Sequence, residues 1–178
     1  MLKMLLPNLY ISSCEKIPTK TLLEKGIKVL MADIDNTLIS LDTVETNENV
    51  VLFLDKMRKA NIKVVLVSNN IKSRVAAFAN NCGCDYYSFA FKPYPFVFRK
   101  VLRDYGIKSS ELAIIGDQLF TDILGGKYVK CYTILCKPIV ANSGFITTRV
   151  FRVLEDISFN HFDKKGWMLK GEFNDETM

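Results

Sequence analysis

Asp33 and Asp35 are separated by a single residue; Ser68 and Asn69 follow, then Lys92, then Asp117 and Asp122. The steps from Asp33 to Ser68, Ser68 to Lys92 and Lys92 to Asp117 are 35, 24 and 25 residues. Each is about the length of one helix plus one strand. Residues two apart in an extended segment point the same way, so Asp33 and Asp35 are expected to face one crevice. Carboxylates that converge repel one another and raise their own pKa values unless a cation lies among them. Mg²⁺ suits such a set, because it is a hard ion that takes one or two carboxylates and binds substrate phosphate. The Lys92 ammonium and the Ser68 and Asn69 donors then suit phosphate oxygens. A carboxylate can itself attack a phosphoryl group and form an aspartyl-phosphate, while a metal neutralises charge and orients the phosphoryl for in-line displacement. Each piece alone has an ordinary explanation, since Asp-x-Asp and Ser-Asn both serve in caps and turns. The inference rests on their joint occurrence, in order.

The elements that must position them are legible from hydropathy patterning. Ile27–Ile34, Ile62–Val67, Tyr86–Ala90, Leu112–Ile115 and Tyr132–Cys136 read as five strands. Thr46 is placed to cap a helix in which Val50, Phe53, Leu54 and Met57 share a face. Val75, Phe78, Ala79 and Cys82 repeat that spacing. Pro95 opens a helix with Phe98, Val101, Leu102 and Tyr105 on its buried stripe. Thr121–Lys130 is helical despite Gly125-Gly126. Strands alternating with helices give an α/β fold, a parallel sheet with helices on both faces. Such sheets bind ligands at the carboxyl ends of their strands. The chemistry-bearing residues fall there.

The composition bounds the rest. A chain of 178 residues, 49% hydrophobic and 24% charged, makes one globular domain, here residues 1–170, with a disordered acidic tail at 171–178. Nine Gly and five Pro exclude collagen-like and low-complexity classes. No segment approaches the length of a membrane span, and MLKMLLPNLY stops its apolar run at Pro7, so it is not read as a signal peptide. Five cysteines without a C-x-x-C spacing point to free, buried thiols and a cytoplasmic setting. His161 is the only histidine, which excludes His-based triads and His-rich metal sites. The net charge of +5 is scattered rather than striped; it suits an anionic ligand and gives no sign of a nucleic-acid partner.

With those residues quoted, the chain resembles the haloacid dehalogenase superfamily of phosphotransferases over roughly residues 20–140. The carriers are DxDNTL at Asp33–Leu38, Ser68-Asn69, Lys92, and GDxxxxD from Gly116 to Asp122. The resemblance implies a Rossmann-like three-layer sandwich and a set of roles. Asp33 is the nucleophile and a metal ligand. Asp35 gives the metal its backbone carbonyl, while its side chain protonates the leaving oxygen and then activates water. Ser68 and Asn69, with Thr37 of the first motif, bind the transferring phosphoryl. Lys92 neutralises Asp33 and phosphate, Asp117 completes a Mg²⁺ site, and Asp122 lies beside it or ligates. A narrower resemblance is to the YqeG-like, type IIIA branch, related to mitochondrial phosphatidylglycerophosphate phosphatases. It is carried by LLPNLYISS, the GIK before Asp33, IxVSNN at Ile62–Asn70, Lys92-Pro93 and GDQLFTDILGG. FKPYPF at Phe91–Phe96 is more aromatic than that branch leads one to expect.

Many members of the superfamily carry a cap domain between the first and third motifs; here Ile39–Ile62 and Ile71–Phe91 have room for one helix each. A capless site is open, which suits a bulky lipid phosphate, or closure by a second copy of the chain. Two segments are candidates for peripheral contact with the inner face of a membrane. One is the aromatic run Tyr86, Tyr87, Phe89, Phe91, Tyr94, Phe96 and Phe98, most of it assigned to core. The other is a helix over 145–159 bearing Ile146, Val150, Val153, Leu154 and Ile157, expected to dock on the sheet through that face. The expected function is Mg²⁺-dependent phosphomonoester hydrolysis, with phosphatidylglycerophosphate as substrate. The alternatives are a soluble phosphatase of sugar or nucleotide phosphates, oligomerising to close its site, and a catalytically idle binding module.

Overall fold

The β-branched runs form strands in the computed structural model of the chain, which describes residues 2–140 and 146–176, those from 146 to 152 by backbone alone. The strands are β1 (Leu9–Ile11), β2 (Val29–Ala32), β3 (Lys63–Val67), β4 (Asp85–Tyr87), β5 (Leu112–Gly116) and β6 (Tyr132–Cys136). The helices are α1 (Thr19–Glu24), α2 (Glu48–Lys59), α3 (Lys72–Cys82), α4 (Phe96–Asp104), α5 (Leu124–Tyr128) and α6 (Ile146–Lys164). The strands pair in parallel in the order β1-β6-β5-β2-β3-β4. Central β2 is buried at all four residues, as a parallel strand covered on both faces must be. Among the described residues, no helix is long and apolar enough to cross a membrane.

Alternation along the strands divides the core into layers. Leu30 and Ala32 join Val50, Phe53, Met57, Val75 and Phe78 of α2 and α3 on one face. Val29 and Met31 join Val97, Phe98 and Val101 of α4 on the other. A third cluster, with Tyr10, Leu119, Ile123, Leu135, Phe159 and Phe162, seats α6 over the β1–β6 side. The expected α/β sandwich is therefore the observed one. Between β2 and β3 the chain supplies one loop and α2, and between β3 and β4 it supplies α3.

Four expectations are corrected. The strand expected at Tyr86–Ala90 is only Asp85–Tyr87. The cap of α2 is Asn47, whose side chain accepts from the Val50 N–H, not Thr46. The helix over 145–159 exists and runs longer, but Val153, Leu154 and Ile157 are exposed, while Glu155, Ser158, Phe159 and Phe162 are buried; Ile146 and Val150 lie outside the described side chains. The acidic tail is not loose over 171–176. Asn174 donates its N–H to the Tyr10 carbonyl (2.6 Å) and accepts from the Tyr10 N–H, Asp175 accepts from the Ser12 N–H and hydroxyl, and Glu176 pairs with Lys56 at 2.7 Å. Those bonds cover the open edge of β1, a need that composition does not reveal.

Gly125 and Gly126 are explained by close packing. A Cβ on Gly126 would stand 2.6 Å from Thr133 Cγ2 and 2.8 Å from Ile114 Cγ2, and one on Gly125 would stand 2.7 Å from Phe98 Cε2. Their absence lets α5 lie directly on the sheet. Gly126→Ala is expected to lower stability by about 1–3 kcal/mol through overpacking, a fall of roughly 2–4 °C in melting temperature per kcal/mol at this size. A thermal melt unchanged from wild type would contradict this packing.

Candidate active site

The site forms where β2, β3 and β5 end. Asp33 follows β2, and its N–H donates to the Ile115 carbonyl at 2.9 Å, which extends the strand pairing and holds Asp33 beside the end of β5. The chain then turns: the N–H groups of Thr37, Leu38 and Ile39 all donate to the Ile34 carbonyl. Asn36 sits at the bend with φ 68°, a left-handed conformation that asparagine tolerates better than most residues. Its side-chain amide donates to Asp117 Oδ2 (3.3 Å) and to the Val140 carbonyl, and accepts from the Val140 N–H. The turn thereby brings the Thr37 hydroxyl within 3.2 Å of Asp33 Oδ2 and 3.3 Å of Asp117 Oδ1.

Lys92 closes the cluster from the loop after β4. Its ammonium has three N–H donors and three acceptors: Asp33 Oδ1 at 2.5 Å, Asp122 Oδ1 at 2.6 Å and the Val67 carbonyl at 3.2 Å. Burial works to lower the Lys92 pKa, but Asp122 and Asp33 together outweigh it and raise the value. Lys92 is thus a fixed cation. Its backbone is clamped by Asn69, whose side chain accepts from the Lys92 N–H (2.8 Å) and donates to its carbonyl (3.1 Å).

Asp122 reaches the cluster through a π-helical turn, Leu119–Ile123. This rare geometry recurs at functional positions. Its second oxygen accepts from the Gln118 N–H and the Thr121 hydroxyl. The side chain lies directly over Gly116, where a Cβ would stand 2.2 Å from Asp122 Cγ. Glycine at the end of β5 is therefore what admits the aspartate six residues later.

Asp33, Asp117 and Asp122 are all buried, and an oxygen from each lies within 4.8 Å of the others. Burial is the main cause that raises the Asp33 pKa well above the ordinary carboxylate range; Lys92 opposes it, and Asp122 and Asp117 add to it. Three carboxylates against one ammonium leave an excess of negative charge in a space of low polarity. The donors are all carboxylate oxygens, with no thiol or imidazole among them, which fits a hard divalent cation such as Mg²⁺. Burial pushes the Cys14 and Cys131 thiols up to about 12, which leaves them inert as nucleophiles.

Asp35 stands apart from that cluster. Its Oδ2 accepts from the Ser68 hydroxyl and the Asn70 amide, both at 3.2 Å, and its Oδ1 accepts from Arg74 Nε at 2.8 Å. The structure thus brings Asp33, Thr37, Lys92, Asp117 and Asp122 into one group, with Ser68 and Asp35 adjacent. The Asn69 side chain goes instead to the Lys92 main chain. Asn36, Asn70 and Arg74 were not singled out from the sequence. Asn36 carried a usable signal, an asparagine at a turn directly after Asp-x-Asp. Arg74 carried none, because its role depends on how α3 crosses the rim.

The model of the family described as "Hydrolase: haloacid dehalogenase-like hydrolase" matches residues 14–130. The chain belongs to the haloacid dehalogenase-like hydrolases. It is 33% identical over 164 residues to "Probable phosphatase YqeG" of Bacillus subtilis strain 168, an alignment covering 92% of this chain and 95% of that one. A 46-residue stretch is 39% identical to glyceraldehyde 3-phosphate phosphatase of Pyrococcus furiosus, 26% of this chain and 19% of that protein. Among solved structures, a protein from Listeria monocytogenes serotype 4b matches with TM-score 0.54 and 17% identity, over 68% of this chain and 88% of that one. The cobalt-bound deoxy-D-mannose-octulosonate 8-phosphate phosphatase of Haemophilus influenzae matches with TM-score 0.50 and 14% identity, over 80% and 91%. At such identities the structural likenesses show the fold alone. The expected superfamily membership, YqeG-like resemblance and enzyme of the phosphatase type are all met.

The raised Asp33 pKa has a defined sign. Folding retains a proton on Asp33 that the unfolded chain loses, so the metal-free protein loses stability as pH climbs from the ordinary carboxylate range through the raised value. A cation bound to these oxygens competes with that proton. Millimolar Mg²⁺ is therefore expected to raise the melting temperature by several degrees, the rise being larger at pH 8 than at pH 5. Asp33→Asn relieves one buried charge; the metal-free variant is expected to melt above wild type and to gain less from Mg²⁺. A Mg²⁺ response independent of pH, or equal in the variant, would contradict this assignment.

Proposed function

We propose that the chain hydrolyses phosphomonoesters with Mg²⁺ through a phosphorylated Asp33, and that its substrate is phosphatidylglycerophosphate at the inner face of a membrane. The observation that carries the chemistry is the separation of two aspartates: Asp33 lies inside the buried Lys92–Asp122–Asp117 group, while the Asp35 carboxylate is held outside it by Ser68, Asn70 and Arg74. One site needs a nucleophile and the other an acid. Asp33, Asp117 and Asp122, with the Asp35 backbone carbonyl, would hold the cation, which when bound neutralises phosphoryl charge and orients the group. Ser68 and Thr37 donate to phosphoryl oxygens, and Asn69 acts by fixing Lys92. An Asp33 oxygen attacks phosphorus as the P–O bond to the leaving group breaks. The departing oxygen takes both bonding electrons and a proton from Asp35. Asp35, now ionised, then accepts a proton from the water that attacks phospho-Asp33, releasing inorganic phosphate and restoring the Asp33 carboxylate.

The lipid reading is supported by the surroundings of Lys92. Phe89, Phe91, Tyr94 and Phe96 are 50–69% exposed, against the expectation that most of this run is core. Phe89 and Phe91 both have positive φ, 49° and 51°, a conformation that costs bulky residues energy, and the Tyr94 and Phe96 rings stack at 6.3 Å. Exposed aromatics of this kind suit a membrane–water interface. A cavity of about 430 Å³ borders Asp117; Tyr10, Leu119, Leu135, Phe159 and Phe173 form its apolar wall, and Lys137, Lys170, Glu155 and Asp156 also line it. The likeness to a probable phosphatase over 92% of the chain supports the hydrolytic chemistry.

With Mg²⁺, the protein is expected to release phosphate from an aryl phosphate, and Asp33→Asn is expected to abolish turnover; no turnover on any ester would favour the binding module. Phosphatidylglycerophosphate in mixed micelles is expected to be preferred over a panel of soluble sugar and nucleotide phosphates. Phe91→Ser/Phe96→Ser is expected to lose binding to anionic vesicles and to raise KM for the micellar substrate while sparing the aryl ester. A preference for the soluble panel would sink the lipid reading.

A further inference from the structure

Arg74 has no place in the motifs that led to this site, yet it makes the shortest contact to the Asp35 carboxylate. Its Nε donates to Oδ1 at 2.8 Å, and its Nη2 donates to the Ser40 carbonyl at 3.1 Å. Both side chains are largely withdrawn from solvent, 17% and 16% exposed. Position on α3 does not explain the residue. Arg74 lies in the first turn, after an Ile71 cap that makes no side-chain bond, with Lys72 beside it and no acidic residue. A cation at that end opposes the helix dipole.

Asp35 has two oxygens with different neighbours. Oδ1 is taken by Arg74, while Oδ2 faces the Ser68 hydroxyl and the Asn70 amide. Ser68 directly follows β3 and, in the function proposed above, donates to a phosphoryl oxygen. A carboxyl group free to rotate about its Cβ–Cγ bond would present either oxygen to the leaving group. One bound to a guanidinium through Oδ1 can present only Oδ2, which gains a lone pair for the proton when the Ser68 hydroxyl turns to a phosphoryl oxygen.

We propose that Arg74 is the positioning residue of the general acid: it fixes the Asp35 carboxyl so that Oδ2 carries the proton given to the leaving oxygen. The proposal rests on the acid–base role given to Asp35 above. In the transfer step, the P–O electron pair goes to the ester oxygen, the proton moves from Oδ2 to that oxygen, and a neutral alcohol departs. The carboxylate left behind is stabilised by the guanidinium already bound to Oδ1. Arg74 touches neither phosphoryl nor leaving group and acts only through Asp35.

The test is the dependence on leaving group. An alkyl alkoxide is a very poor leaving group without a proton, whereas nitrophenolate departs nearly unaided. The parameter kcat/KM reports the steps through departure of the alcohol, before hydrolysis of the phosphoenzyme. General acid catalysis contributes roughly 10²–10⁴-fold, so for the Mg²⁺-loaded enzyme Arg74→Met is expected to lose about tenfold or more in kcat/KM on an alkyl phosphate. It is expected to lose less than about threefold on nitrophenyl phosphate, and Arg74→Lys, which keeps the positive charge but not the planar fork that spans Asp35 and Ser40, is expected to fall between. Asp35→Asn is the reference. If Asp35→Asn itself loses equally on both esters, the acid role of Asp35 fails. If Asp35→Asn discriminates between the esters while Arg74→Met and Arg74→Lys lose equally on both, or lose nothing, the Arg74 proposal is overturned. Should Arg74→Met melt too low to assay, the ratio of the two esters in Arg74→Lys decides.

Discussion

A buried ammonium among buried carboxylates is the constraint on which the rest of the site depends. Asp33, Asp117 and Asp122 could not stand so close in a dry crevice without positive charge, and Lys92 supplies the part of it that the chain itself can provide. Its placement has to be rigid, because a lysine free to swing outward would leave the carboxylates unpaired, a costly state for buried charge. The rigidity is built in two ways. The ammonium has an acceptor for each N–H, and Asn69 holds both the N–H and the carbonyl of the residue that carries it. Side chains that a motif search reads as ligands thus divide into those that bear charge and those that hold the charge-bearing group in place.

The same logic reaches into the backbone. Gly116 is small so that Asp122 can lie over it; Asp122 itself sits in a π-helical turn; and Gly125-Gly126 lets the following helix sit close on the sheet. These are local departures from good helix or strand chemistry. They gather within a stretch of eleven residues, and they share one result, an aspartate delivered to the Lys92 ammonium.

Much of this was legible in the sequence because parallel-sheet strands buried on both faces appear as continuous apolar runs, and because their polar breaks mark the rim. Asp33, Lys92, Asp117 and Asp122 were legible for that reason. Arg74 was not, because its contribution depends on how α3 crosses the rim rather than on residue type; Asn36 was legible as an asparagine at a turn, but not in the Asp117 and Val140 contacts it makes. The apolar positions of α6 misled for a related reason: Val153, Leu154 and Ile157 share a stripe, but the docked side is set by where Phe159 and Phe162 fit against Tyr10 and Leu135. The three-residue β1 escaped notice because a strand that short shows no period, and the tail that covers it reads as polar surplus until its partner is known.

That tail has a consequence for how the sheet keeps to itself. Asn174 bonds to Tyr10 across 164 residues of chain, so β1 is covered by a segment that follows α6 rather than by a neighbour in sequence. With residues 174–176 lifted away, β1 would offer its outer row of amides and carbonyls to any passing strand. A chain with that stretch displaced would carry a nearly complete sheet with an adhesive margin.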